Sequence, residues 1–136
     1  MSHEIGAARI LVTATADETV VTVEADLDLR CTAQVRERLA EELSLRPHAL
    51  IADFTRVTFC SAAGLSVLIE TAAAAEAAGI PFVLAASQRA VLRPIRALGL
   101  AGVLPVARSA EEAVLRVPAA RRPVAVRAGP RTVEAG

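Results

Sequence analysis

Hydrophobic and polar positions change rhythm several times along the chain, and each change marks an element. Residues 10–15 (Ile-Leu-Val-Thr-Ala-Thr) and 19–25 (Thr-Val-Val-Thr-Val-Glu-Ala) are rich in β-branched side chains and partly alternate, which predicts two half-exposed strands. Ala16-Asp17-Glu18 forms the polar turn of a hairpin, with Val21, Val23 and Ala25 on one face and Thr22 and Glu24 on the other. Residues 49–54 and 80–86 are apolar without alternation, as in parallel strands covered on both sides. A further short strand is expected near Val103–Val106.

Between the strands the apolar period lengthens to that of helices. From Thr32 to Leu45, Val35, Leu39 and Leu43 recur every four residues with charged side chains off the stripe, and Pro47 ends the run. From Ala62 to Ala78, Leu65, Leu68, Ile69 and Ala72 form a stripe that Gly79 closes in a left-handed stop. A third helix is predicted over Gln88–Leu98, stopped by Gly99, with Pro94 kinking it or delaying its start. The last opens on the capping box Ser109-Ala-Glu-Glu112 and stops at Pro118. The order β-β-α-β-α-β-α-β-α predicts an α/β domain over residues 8–117, with a mixed β-sheet and about four helices, mostly on one face. The helix over 62–78 should pack tightest. Residues 118–136 contain Pro118, Pro123 and Pro130 and no apolar period, and are read as a flexible tail.

Composition narrows the function classes. At 136 residues and 54% hydrophobic content the chain suffices for one core and is not intrinsically disordered. Basic and acidic residues balance, Trp and Tyr are absent and Phe occurs three times, so direct nucleic-acid binding is not expected. Every basic residue is Arg, which excludes lysine catalysis. No apolar run reaches the roughly 18 residues of a membrane span, and Met1-Ser2-His3-Glu4 lacks the start of a signal peptide. The reading is therefore cytoplasmic, without membrane insertion, and Cys31 and Cys60 are not a disulfide framework. His3 and His48 belong to no cluster with ligand spacing, and no phosphate-cradling glycine loop occurs. No catalytic residue, metal or cofactor is expected, and the chain is not read as an enzyme.

The segment Asp53-Phe-Thr-Arg-Val-Thr-Phe-Cys-Ser-Ala-Ala-Gly-Leu65 stands apart. A buried strand ends, a short loop crosses the top of the sheet, and a helix starts at Ser61, a good N-cap. Ala62, Ala63 and Gly64 leave the first turn almost bare. That opens backbone N–H groups to an anion or a partner's backbone, or merely lets the helix approach the sheet closely.

Three stretches resemble the STAS family, the sulfate-transporter and anti-sigma-factor-antagonist domains, over roughly residues 8–117. Phe59-Cys60-Ser61-Ala62-Ala63-Gly64-Leu65 is similar to the family's strand–loop–helix signature, in which aromatic or aliphatic residues precede Asp-Ser-[Ser/Ala]-Gly-Leu. Ala25-Asp26-Leu27-Asp28 followed by Thr32-Ala33 is similar to its Gly-[Glu/Asp]-Leu-Asp…Thr-Ala run. Ala85-Ala86-Ser87 through Arg93, then Leu98-Gly99-Leu100, resembles the late strand, helix and turn.

The resemblance implies a regulatory module that binds an anti-sigma factor, often a serine kinase, through its helix-start surface. It assigns partner binding to Asp26, Asp28, Ser61, Ala62, Ala63, Gly64, Leu65 and Ser87. In such pairs the kinase phosphorylates the Ser that follows the Asp, and an added charge of about −2 breaks the complex. Aligned on Gly64-Leu65, Ser61 takes the place of the Asp and Ala62 that of the Ser, so the usual switch is deleted and Ser61 is the candidate displaced acceptor. Cys31 and Cys60 stand between a redox pair and two buried structural thiols. Arg30, Arg89, Arg93 and Arg96 either line the same end or are solvated. Other roles implied are a STAS subunit of a lipid ABC transport complex, bound to its ATPase, or a nucleotide or anion sensor. A homodimer is left open.

Overall fold

The sheet is built outward from a parallel pair that the two sequence rhythms already distinguish. In the computed structural model, which describes residues 8–118 and 131–135, the alternating segments form β1 (Arg9–Ala14) and β2 (Thr19–Leu27), an antiparallel hairpin. The continuous apolar segments form β3 (Leu50–Cys60) and β4 (Phe82–Ala85), parallel to β2. A two-residue strand β5 (Val106–Ala107) adds to β4, and β6 (Arg131–Ala135) pairs antiparallel with β1, giving the order β5-β4-β3-β2-β1-β6.

The helices are α1 (Leu29–Ser44), α2 (Ala62–Ala77), α3 (Arg89–Ala97) and α4 (Ala110–Arg116), with a 3-10 turn at Leu100–Gly102. Apolar periodicity decides their seats. Val35 and Leu39 of α1, Leu65 and Leu68 of α2, and Val91 and Ile95 of α3 join Val21, Val23, Phe54 and Leu84 in one core. Ala113 of α4 meets Ile51, Val83, Ala85 and Ala107 across the sheet. Three helices thus cover one face and α4 part of the other. The expected mixed sheet, element order and distribution of helices are all present.

Several details depart from expectation. α1 begins three residues earlier than Thr32, because Asp28 caps it by accepting the N–H of Cys31 at 2.9 Å. β3 continues six residues past Phe54, so no loop separates the sheet from α2. The strand expected near Val103–Val106 begins only at Val106, because the 3-10 turn occupies the stretch before it. Pro94 does not delay the start of α3: the helix begins at Arg89 and holds Pro94 in its second turn, without the N–H that would donate to the carbonyl of Ala90. The reading of 118–136 as a tail is corrected over Arg131–Ala135, which gains ladder hydrogen bonds on the edge of β1; residues 119–130 and 136 lie outside the described residues. His48 donates from Nε2 to the carbonyl of Pro118 at 2.9 Å, tying the segment after α4 to the start of β3.

Thr32, only 2% exposed, has a hydroxyl with no hydrogen-bond partner among the described residues. A buried hydroxyl without a partner costs about 1–3 kcal/mol, whereas a methyl of similar shape costs nothing in desolvation. Thr32→Val should therefore raise stability by about 1 kcal/mol in urea unfolding at unchanged m-value; a loss of that size would mean that the hydroxyl is hydrogen-bonded in solution.

Candidate functional site

The carboxyl ends of β2 and β3 lead into α1 and α2 side by side. Leu27 pairs with Cys60, and the N–H of Ser61 donates to the carbonyl of Leu27 at 3.2 Å. One residue further on in each chain segment stands a helix cap. Asp28 caps α1, and the hydroxyl of Ser61 accepts the N–H of Gly64 at 3.2 Å to cap α2. Gly64 is required by space: a Cβ there would lie 3.0 Å from Cys60 Sγ and 3.3 Å from Leu27 Cβ. Of the two readings of the small residues, close approach of helix to sheet therefore accounts for Gly64.

The residues assigned to partner binding divide by where they point. Asp26, Asp28 and Ala62 are exposed, and Ser61 and Ala63 are half-buried at the same edge. Asp26 accepts a hydrogen bond from the hydroxyl of Thr58 on the neighbouring strand. Gly64 and Leu65 are corrected: both are buried, Leu65 being 3% exposed in the core, so they support the surface from beneath. Ser87 is also set apart. β4 ends at Ala85, level with Asp53, while β3 runs on to Cys60, which leaves Ser87 roughly 10–15 Å short of Ser61 along the strands. It is held low by Gln88, whose side-chain amide donates to the carbonyls of Phe54 and Val57, both at 2.6 Å.

Two apolar residues at this end went unassigned in the sequence reading. Phe59 is 53% exposed and Leu29, the first residue of α1, is 79% exposed. Phe59 faces out on the same parity as Ile51 and Asp53, because the β2–β3 ladder shifts register twice, between Thr22 and Glu24 and between Ala25 and Asp26, and two one-residue shifts restore the original alternation. An aromatic residue beside the capping Ser was the signal in the sequence. The end of the sheet thus presents Phe59, Leu29 and a bare alanine turn, with Asp26 and Asp28 at its edge.

The cysteines do not form a disulfide; both are free and buried. Burial raises the pKa of Cys31, with the charge of Asp28 and a hydrogen bond to it adding to the effect. Burial pushes Cys60 up to about 11. Neither is a ready thiolate near neutral pH. Among the described residues no group of His, Cys, Asp and Glu is placed to hold a metal ion, and no helix is long and apolar enough to cross a membrane.

Comparison with known proteins places this geometry in context. The STAS domain family profile matches residues 9–113. The fold superposes on an anti-sigma factor antagonist from Mycobacterium paratuberculosis with a TM-score of 0.66 and 24% identity, covering 79% of this chain and 93% of the other. A putative anti-sigma factor antagonist from Thermotoga maritima gives 0.72 at 15% identity, covering 78% and 92%. An RsbS variant from Moorella thermoacetica gives 0.64 at 27% identity, covering 74% and 87%. No curated protein sequence matches the chain.

The buried thiols make a pH prediction. The chain lacks Lys and Tyr, so between pH 9 and 11 its side-chain titration belongs to cysteine. The thiol of Cys60 ionises near 9 in the unfolded chain and near 11 in the folded one, so its contribution is complete below pH 9 and is lost as pH rises to 11. Urea unfolding at pH 8, 9.5 and 10.5 should show stability falling across that window, and Cys60→Ala should remove most of the slope. An unaltered slope in the variant would count against burial as its origin.

Proposed function

The chain belongs to the STAS family, and we propose that it works as an anti-sigma factor antagonist or antagonist-like regulator, binding an anti-sigma factor by surface contact without catalysis. The observation that carries this reading is the exposed first turn of α2 beside Phe59 and Leu29. Exposed aromatic and aliphatic side chains around a turn without bulk form a centre that a partner can desolvate, with acidic groups at its rim to set orientation. The solved relatives described as anti-sigma factor antagonists support the class of partner.

The reading includes constant availability for binding. Ala62 stands where the family carries the phosphorylated Ser, and a methyl group accepts no phosphate. Ser61, the displaced candidate, is engaged as the N-cap of α2, so phosphorylation there would compete with the cap. In the cytoplasm, where sigma factors act, such a chain would bind whenever its anti-sigma factor is free.

Two measurements test this. Phe59→Asp should weaken binding to the anti-sigma factor by roughly tenfold to a hundredfold in calorimetry, as loss of a hot-spot aromatic does, without a change in thermal unfolding; unchanged affinity would remove Phe59 from the interface. Incubation of the wild type with a kinase-type anti-sigma factor and ATP should leave the intact mass unchanged while binding persists. A stoichiometric gain of one phosphate mapped to Ser61 would show that the switch has moved by one residue.

A further inference from the structure

β4 and β5 are parallel neighbours, yet the helices that follow them take opposite faces of the sheet. α3 sets Ile95 into the core shared with α1 and α2, whereas α4 sets Ala113 against the other side. Where helices part in this way, a crevice opens at the carboxyl ends of the strands. Here it is a cavity of about 470 Å³ bounded by α3, the 3-10 turn, β5 and α4, within the range of small-molecule sites. It lies on the β5 side of the sheet, with β4 between it and the β2–β3 pair that carries the partner surface.

Its chemistry is divided between floor and rim. The floor open to a ligand is formed by Leu92 and Val106, half-buried, and Ala101, exposed, over the buried Ala86, Ile95 and Ala107. The rim carries Arg96, Arg108 and Arg116 with one acid, Glu112. That acid is matched: Arg116 Nη2 donates to Glu112 Oε2 at 3.1 Å, and Nη1 donates to the carbonyl of Val106 at 2.7 Å. The guanidinium groups of Arg96 and Arg108 have no acidic partner among the described residues. Two exposed arginines at the rim of an apolar crevice, neither guanidinium paired with an acid, suit a compact dianion attached to an apolar body, because guanidinium forks match phosphate oxygens in pairs.

We propose that this crevice is a binding site for a small organic phosphomonoester, with Arg96 and Arg108 taking the phosphate and the floor taking the apolar body. The site lies apart from the surface proposed for the anti-sigma factor and would give the domain a ligand of its own.

Phenyl phosphate is the probe, titrated into the isotopically labelled full chain at low salt and followed by amide resonances. Saturable shifts are expected around Ala86, Ile95–Arg96 and Ala107–Arg108. The double substitution Arg96→Gln with Arg108→Gln should weaken binding at least about tenfold while thermal unfolding stays unchanged, and added salt should weaken the wild type. Inorganic phosphate should bind several-fold more weakly, since it leaves the floor wet. Absence of saturable shifts, equal binding by the double variant, or equal affinity for inorganic phosphate would each overturn the proposal. Benzoate binding as tightly as phenyl phosphate would overturn its commitment to phosphate.

Discussion

The contact on which the proposed partner surface depends is the approach of α2 to the β2–β3 ladder at Gly64. With no Cβ, the helix sits directly over Leu27 and Cys60, and the peptide N–H of Ser61 closes on the Leu27 carbonyl. Leu27 leads through Asp28 straight into α1. The two helix starts are therefore held by one pair of strand ends, and neither can move without disturbing the same hydrogen bonds. A side chain at position 64 would lift α2 and separate the two caps. The alanines on the surface derive their arrangement from the glycine beneath them.

That arrangement also explains why the exposed apolar groups lie where they do. A regular alternation along β3 would carry Arg56 and Thr58 into the core after Phe54, but the first register shift inverts the parity and the second restores it by Cys60. Val57 reaches the core because of the first shift, and Cys60 follows after the second, while Phe59 is on the solvent side. An aromatic residue kept outside at a strand end has little to offer the fold, whose core is filled by Phe54 and the aliphatic residues around it. The irregularity of the ladder thus keeps Arg56 and Thr58 out of the core and leaves Phe59 outside beside them.

Much of this was legible from residues alone. The switch between two-residue and longer periods located the four helices and the central strands, and Ser61 and Ser109 were identifiable as caps from their own chemistry. What the sequence concealed is governed by tertiary register. Nothing in Ala85-Ala86-Ser87 states that β4 stops level with Asp53 while its neighbour continues, so Ser87 was grouped with residues it does not reach. The inward turn of Leu65 was legible from the stripe that it forms with Leu68; the grouping of Leu65 with the surface residues came from the resemblance alone. Arg131–Ala135 has the composition of a tail and becomes a strand only because the edge of β1 offers it unpaired backbone groups. The crevice near β5 depends on which face each helix chooses, a property that no local pattern records.

The pairing of β6 with β1 also shapes how the molecule is made. β1 begins at Arg9 and its outer neighbour at Arg131, so that part of the sheet joins segments separated by nearly the whole chain. Closing so long a loop is entropically costly, though the cost grows only slowly with length, and contacts of such separation favour late formation. During synthesis the β1–β2 hairpin, the parallel strands and their helices can assemble while the outer edge of β1 still has exposed amides and carbonyls. An edge of that kind, carrying Ile10, Leu11 and Val12, is open to wrong pairing with other chains. The strand that covers this edge is therefore made long after the strand it covers, and the interval between them is the period in which the growing chain most needs protection.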